Sequence, residues 1–341
     1  MCSRKFDPRF LPAAHSQARL RRVANPCPDH SQSRPPFLLM QSHNDPSATT
    51  ASPTEPTRDS PTRDEVAQVR QPVSPCSPLL RSFLYASHDW YGGTRNIALW
   101  WTLAQYDVVL RYRSSMLGPL WITISMAAML MGMGPLYSVL FNIPRADFFP
   151  HLTLGIIFWT FISATLTDSC SVFINAARYL KQGDFSATVF AWRTLARNTL
   201  YLAHHIILFI PVSLWYGTSF SWNVLYVLPG LFVVFLNLHL LTLGLGILCA
   251  RFRDIPQMVT SGMQLMMFVT PVFWVPQPSL IDEPALFLNP FTHLLDIVRE
   301  PLLGRAPSTA SYRYLAYATF VNAIVSTALF GLKRYRLNYW I

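Results

Sequence analysis

A run of 53 residues, Asn198 to Ala250, contains no Asp, Glu, Lys or Arg and is bounded by Arg197 and Arg251. A helix needs roughly 20 apolar residues to cross a bilayer core. The run is therefore too long for one crossing and about right for two. Its polar interruption, Gly217-Thr218-Ser219-Phe220-Ser221-Trp222-Asn223, supplies the turn between them. Both bookends are basic, so the positive-inside bias sets both on the cytoplasmic face. A chain built around such a run is an integral membrane protein.

Four further charge-free runs, Ser114–Pro144, Phe148–Thr167, Ile255–Ile281 and Tyr314–Leu332, each supply one helix. The expectation is an all-α membrane protein with six transmembrane helices, near residues 119–141, 150–173, 200–216, 224–248, 256–276 and 314–332. The net charge of +10 does not point to nucleic acid, because the basic residues flank spans or lie in the N-terminal tail. On one side of the membrane fall Arg95, Arg111, Arg113, Arg178, Lys181, Arg193, Arg197, Arg251, Arg253, Lys333, Arg334 and Arg336. On the other fall only Arg145, Arg299, Arg305 and Arg313. The bias sets both termini in the cytoplasm, as an even span count requires.

Residues 1–80 are rich in Pro, Ser, Thr and Arg and poor in apolar residues, which predicts a disordered tail, either a docking segment or a dispensable extension. Residues 1–20 lack the apolar core of a signal peptide, so the first span is expected to serve as its own insertion signal. In residues 95–116, Ile97, Trp101, Ala104 and Val108 recur at helical spacing, which predicts an N-terminal amphipathic interface helix. Residues 117–341 form the six-span domain. Within it, residues 178–197 read as a short cytoplasmic helix carrying aromatics. Residues 277–313 are apolar but too charged and Pro-broken to cross, and fit an extracellular re-entrant helical hairpin. The five cysteines have no metal-ligand spacing, and adjacent His204 and His205 point about 100° apart on a helix, so no metal site is expected.

Four segments carry a resemblance to a known family. Arg111-Tyr112-Arg113-Ser114-Ser115-Met116-Leu117-Gly118-Pro119-Leu120-Trp121 resembles the entry to the first span of polysaccharide-exporting ABC transporter permeases. Phe185-Ser186-Ala187-Thr188-Val189-Phe190-Ala191-Trp192-Arg193 resembles that family's cytoplasmic coupling segment. Ala250-Arg251-Phe252-Arg253-Asp254-Ile255 resembles its loop between spans four and five. Asn289-Pro290, then Arg299 and Leu302-Leu303-Gly304, resembles its re-entrant element. The resemblance covers about residues 95–341, in the family's order, and is nearest to lipopolysaccharide O-antigen permeases, with capsule and teichoic-acid permeases as relatives.

The resemblance implies a permease subunit in the cell inner membrane. Two copies form a homodimer around a channel, and two copies of a separate ABC ATPase drive a lipid-linked glycan through it. The chain has no Gly-x-x-x-x-Gly-Lys-Ser/Thr phosphate loop, so it is expected to be a transport subunit and not an enzyme, with no cofactor of its own. Arg111 and Arg113 are the expected contacts for the lipid pyrophosphate, since guanidinium groups match phosphate oxygens with paired donors. Tyr137, Trp159 and Phe161 are the candidate channel aromatics. Phe185, Val189, Phe190, Trp192 and Arg193 are the expected ATPase-coupling residues. Arg251, Arg253 and Asp254 form an expected cytoplasmic salt-bridge cluster. Asn289, Pro290 and Arg299 are expected at the extracellular gate. The rivals are an ABC permease for a drug or small lipid and, further off, a membrane-embedded glycan-modifying enzyme or an ion-coupled transporter. The last two need convergent acid–base groups or intramembrane acids that the spans do not offer.

Overall fold

A computed structural model describes residues 87, 89–113, 116, 118, 120–182, 185–218, 221–276 and 283–341. The tail, residues 1–80, and residues 277–282 of the expected re-entrant region lie outside the described residues. After a helical stretch at 89–95 come α1 (Ile97–Tyr112), α2 (Leu120–Leu140) and α3 (Arg145–Ser169). Two short helices, α4 (Val172–Asn175) and α5 (Ala177–Lys181), lead into α6 (Ala187–Ile206) and α7 (Phe209–Tyr216). A 3-10 turn at Trp222–Tyr226 opens α8 (Val227–Arg251), followed by α9 (Ile255–Val269), α10 (Pro284–Phe287), α11 (Pro290–Leu302) and α12 (Thr309–Trp340).

Five segments among the described residues are long and apolar enough to cross a membrane: Leu120–Leu140, Arg145–Ser169, Ala187–Tyr216, Trp222–Arg251 and Thr309–Arg334. Four of them match expected spans to within a few residues. The third starts well before residue 200, because α6 runs unbroken from Ala187. Pro211 marks its one discontinuity. Proline has no N–H to give and its ring crowds the carbonyl four residues back, so α6 and α7 part around Ile207–Leu208. Gly217 ends α7 in the left-handed conformation, φ 67°, returning its N–H to Ser213. Where a fifth span was expected at 256–276, the helix α9 has 15 residues, about 22 Å of rise, shorter than a full crossing.

The spans are not equivalent. The apolar stretch of α3 is 83% buried, against 28% for α2 and 22% for the last span. The central helix is therefore α3, and its run from Leu152 to Trp159 is buried on every face. Two glycines let other backbone reach the core. A Cβ at Gly155 would collide with the Val272 carbonyl, and one at Gly230 would lie 2.5 Å from the Ile297 carbonyl. Gly155 thus admits the turn after α9 against α3, and Gly230 admits α11 against α8. Gly155→Val is expected to cost about 1–3 kcal/mol through overpacking. Thermal unfolding in detergent measures it; an unchanged midpoint would mean that the turn does not sit there.

Polar side chains fasten α8 to α12 inside the bundle. Asn237 donates to Thr319 Oγ1 at 2.7 Å, and Asn322 donates back to Asn237 Oδ1 at 3.2 Å. Ser326 then donates to Asn322 Oδ1 at 3.0 Å. In an apolar surrounding each such group needs a partner; Asn237 and Asn322 find theirs across the two helices, and Ser326 finds its own on Asn322 of the same helix.

Candidate functional site

The end of the bundle that carries Arg111, Arg193 and Arg197 holds a small polar cleft. It begins with α1, whose Ala104 and Val108 are buried against the rest of the protein. That registration sets Asp107 beside α6. Arg193 and Arg197 are one turn apart on α6 and so share a face. Arg193 grips Asp107 with two bonds, Nε to Oδ2 at 2.8 Å and Nη2 to Oδ1 at 2.5 Å. Arg197 lies 3.6 Å from Asp107 and donates to Asp168 at the end of α3 at 2.8 Å. Asn198 donates to the same Asp168 oxygen at 3.1 Å. Two arginines and two aspartates thus neutralise one another and tie α1, α3 and α6 together.

Arg111 and Arg113 stay outside that neutral cluster. Both are exposed, and neither has a carboxylate partner among the described residues. The Arg111 guanidinium lies 5.5 Å from the centre of the Tyr201 ring, a cation–π contact that aims it along α6. Beside it opens a cleft of about 240 Å³ lined by Arg111, Thr160, Asp168, Asn198, Tyr201 and His205, among others. Tyr201 Oη and Asn198 Oδ1 are buried there without a hydrogen-bond partner in the protein. Buried polar groups normally have one. Arg111 and Asp168 both line the cleft, so it offers a cation and a carboxylate to a small polar group. Its volume is that of about eight waters, enough for a phosphate and not for a sugar chain.

Several expected site residues are elsewhere than anticipated. Val189 and Phe190 are 1% and 3% exposed, within the protein's own core. Trp192 is half-buried, stacked between Trp100 at 5.6 Å and His239 at 3.9 Å. None of the three is a free surface group, because the segment is the buried start of α6 and not a separate cytoplasmic helix. Phe185 alone of those aromatics is exposed, and Ile174 and Tyr179 of α4 and α5 join it. Trp159 and Phe161 are 5% and 3% exposed and pack edge-on against Phe291 and Phe235. Phe161 also lines the polar cleft beside Arg111. Tyr137 is half-buried against Phe141 and Phe273. The expected Arg251–Arg253–Asp254 cluster does not form among the described residues; Arg251 instead lies over the rings of Phe252 and Trp340.

At the opposite end of α3, Asn289 and Arg299 are buried fasteners. Asn289 accepts from the Phe291 N–H, capping α11 just before Pro290, and donates to Thr270 Oγ1 at 2.8 Å. Arg299 donates to the Pro271 carbonyl at 2.6 Å, faces His151 Nε2 at 3.3 Å and pairs with Glu300 at 3.3 Å. Both residues hold the turn that follows α9.

The residues missed from the sequence were Asp107, Asp168 as a partner, Asn198 and Tyr201. The available signal was the four-residue spacing of Arg193 and Arg197, which needs acids from another segment to sit beside apolar residues.

Comparison with known proteins agrees with this architecture. The family model described as "ABC-2 type transporter" matches residues 98–303. An O-antigen export system permease protein, RfbA, of Klebsiella pneumoniae is 26% identical over 246 residues, 67% of this chain and 90% of that protein. One of the same name from Myxococcus xanthus is 27% identical over 241 residues, 68% of this chain and 91% of that protein. The matched region runs from the first turn of α1 to the residue after α11, taking in the cleft, the central helix and the fasteners of the α9 turn. On that extent of match, this chain belongs to the ABC-2 type transporter family.

Proposed function

We propose that this chain is the permease subunit that moves a lipid-linked polysaccharide, O-antigen in kind, across the inner membrane. The observation that carries this reading is coverage: the likeness to O-antigen export permeases extends over nine-tenths of their length. Two copies enclose the path, and two copies of a separate ATPase supply the energy. Both termini are cytoplasmic. Helix α9 together with residues 270–276 makes the fifth of six crossings, and α11 is the returning arm of a re-entrant element. Helix α1 lies in the membrane interface with Tyr106, Val109 and Leu110, all exposed, as its outward apolar face.

Each part of the structure has a place in that reading. Arg111, with Arg113, receives the lipid pyrophosphate at the mouth of the cleft beside Tyr201. Phe185 joins Ile174, Tyr179, Arg178 and Lys181, all exposed, as the surface that meets the ATPase. Val189, Phe190, Trp192 and Arg193 act from beneath it, as the rigid link from that surface to α1 and the spans. The turn held by Asn289 and Arg299 lies at the outer end of the path.

The lumen is better assigned to α9 than to the aromatics of α3. Gln257, Ser261 and Gln264 follow one another at helical spacing and are all exposed, on a helix whose exposed apolar residues are Met258, Leu265, Met266, Phe268 and Val269. Amide side chains facing lipid would carry a desolvation cost of a few kcal/mol each, so the stripe fits a water-filled path where sugar hydroxyls exchange hydrogen bonds with it.

Export tests the reading directly. Deleting the gene is expected to remove surface polysaccharide while lipid-linked glycan accumulates on the cytoplasmic face. Surface polymer that persists would refute it. Restoring the gene as Gln257→Leu with Gln264→Leu is expected to give roughly tenfold less export, the loss of about 1.4 kcal/mol at the barrier, with normal protein level. Full export by that variant would move the lumen to another helix.

A further inference from the structure

A second recess lies at the end of the bundle opposite the polar cleft, on the outside of α2, α3 and α7. Its volume is about 490 Å³. Ala127, Met131 and Pro135 of α2 form one wall, and Leu208, Val212 and Trp215 of α7 form the other. Residues 127 to 135 and 208 to 215 each rise by about 11–12 Å, so the recess is a groove running along the helices for that length. The gap exists because Pro211 breaks the helix between α6 and α7 and small Ala127 faces it. Its walls are apolar.

One charge stands at the groove's end, and it is Arg145. Arg145 is exposed and has no carboxylate partner among the described residues. It also begins α3, where the helix macrodipole disfavours a cation. Local helix stability therefore does not account for it. Trp215 is 85% exposed and Tyr216 stacks on Phe149 at 5.1 Å, which sets aromatic rings at the same level as the guanidinium. Rings at one level with a basic side chain mark the headgroup zone of a bilayer.

We propose that this groove is a binding site for an anionic phospholipid, with one acyl chain lying between α2 and α7 and its phosphate paired with Arg145. The match is one of charge and shape together. An apolar slot bounded at its membrane-surface end by a guanidinium fits a molecule with an anionic head and a single flexible chain beside it. Guanidinium offers paired donors to phosphate oxygens. The slot's length is less than half the thickness of a hydrocarbon core, so it takes part of one chain from one leaflet. The site faces away from the polar cleft, and the proposal does not rest on which cargo is exported.

Trp215 provides the reporter. The full-length protein is reconstituted in phosphatidylcholine vesicles containing brominated phosphatidylglycerol or, at equal mole fraction, brominated phosphatidylcholine. The Trp215 component of fluorescence is the difference between wild type and Trp215→Phe. Brominated phosphatidylglycerol is expected to quench that component at least threefold more efficiently than brominated phosphatidylcholine. Arg145→Gln is expected to erase the preference, and Arg145→Lys to keep part of it. Because residue 145 is exposed, neither change is expected to alter folding, which circular dichroism checks. Three results would overturn the proposal. Equal quenching by both lipids would mean no headgroup recognition. A Trp215 that neither lipid quenches would mean that a second copy of the chain covers the face. Displacement of brominated phosphatidylglycerol by equimolar undecaprenyl phosphate would assign the groove to the glycan carrier.

Discussion

Arg299→Ala is expected to destabilise the protein by about 3–5 kcal/mol, because it removes one member of a buried ionic group. The guanidinium is 4% exposed and serves three partners at once: the Pro271 carbonyl, His151 and Glu300. Its loss leaves a buried carbonyl without a donor, and an unmet group of that kind alone costs about 1–3 kcal/mol. The turn after α9 is then held by Asn289 through Thr270 and by the burial of Val272 and Phe273. Arg299→Lys is the informative control. A single ammonium cannot reproduce the planar fork, so it is expected to recover part of the loss. Unfolding of the purified protein in detergent reads both. A change of less than about 1 kcal/mol for the alanine variant, the size of an ordinary surface effect, would mean that the fastener is not formed.

Asp107→Ala is expected to release α1 from α6. Asp107 holds Arg193 by two charge-assisted bonds and lies near Arg197. Such bonds contribute about 1.5–3 kcal/mol each when buried. The side chains of Arg193 and Asp107 are 26% and 15% exposed, so solvent screens part of this, leaving about 2–3 kcal/mol for the whole pair. A double-mutant cycle with Arg193→Ala isolates the coupling. Strong coupling, with the double variant no worse than Asp107→Ala, is expected. Independent, additive losses would mean that the two side chains do not meet. In the proposed exporter the variant also separates the membrane-surface helix from the link to the ATPase, so export is expected to fall further than protein level does.

The crossings were legible because hydrocarbon excludes charge, and the charge-free runs record that exclusion directly. The same rule misled the reading of residues 187–199. Arg193 and Arg197 read as the end of a short, separate cytoplasmic helix, yet they lie on a helix continuous with the third span, because Asp107 and Asp168 neutralise them. Those acids come from 86 and 29 positions away, and one sequence carries no record of such pairing. The burial of the α3 aromatics has a related reason. Trp159 and Phe161 sit in α3, whose apolar run has no polar face to indicate a direction. Such a helix is buried on all sides, and that part was readable in the run itself. Arg111 and Arg113 could be singled out for their place before the first span. The phenol and amide that complete the cleft could not, since Tyr201 and Asn198 lie on a different helix.

The most direct test of the central claim is ATP hydrolysis by the reconstituted complex of this chain with its ATPase. In proteoliposomes, lipid-linked polysaccharide is expected to stimulate hydrolysis severalfold in the wild-type complex. With Arg111→Ala and Arg113→Ala together, the complex is expected to assemble at the same yield and to lose that stimulation. A wild-type complex whose hydrolysis ignores the lipid-linked glycan would contradict the account, whatever else it transports.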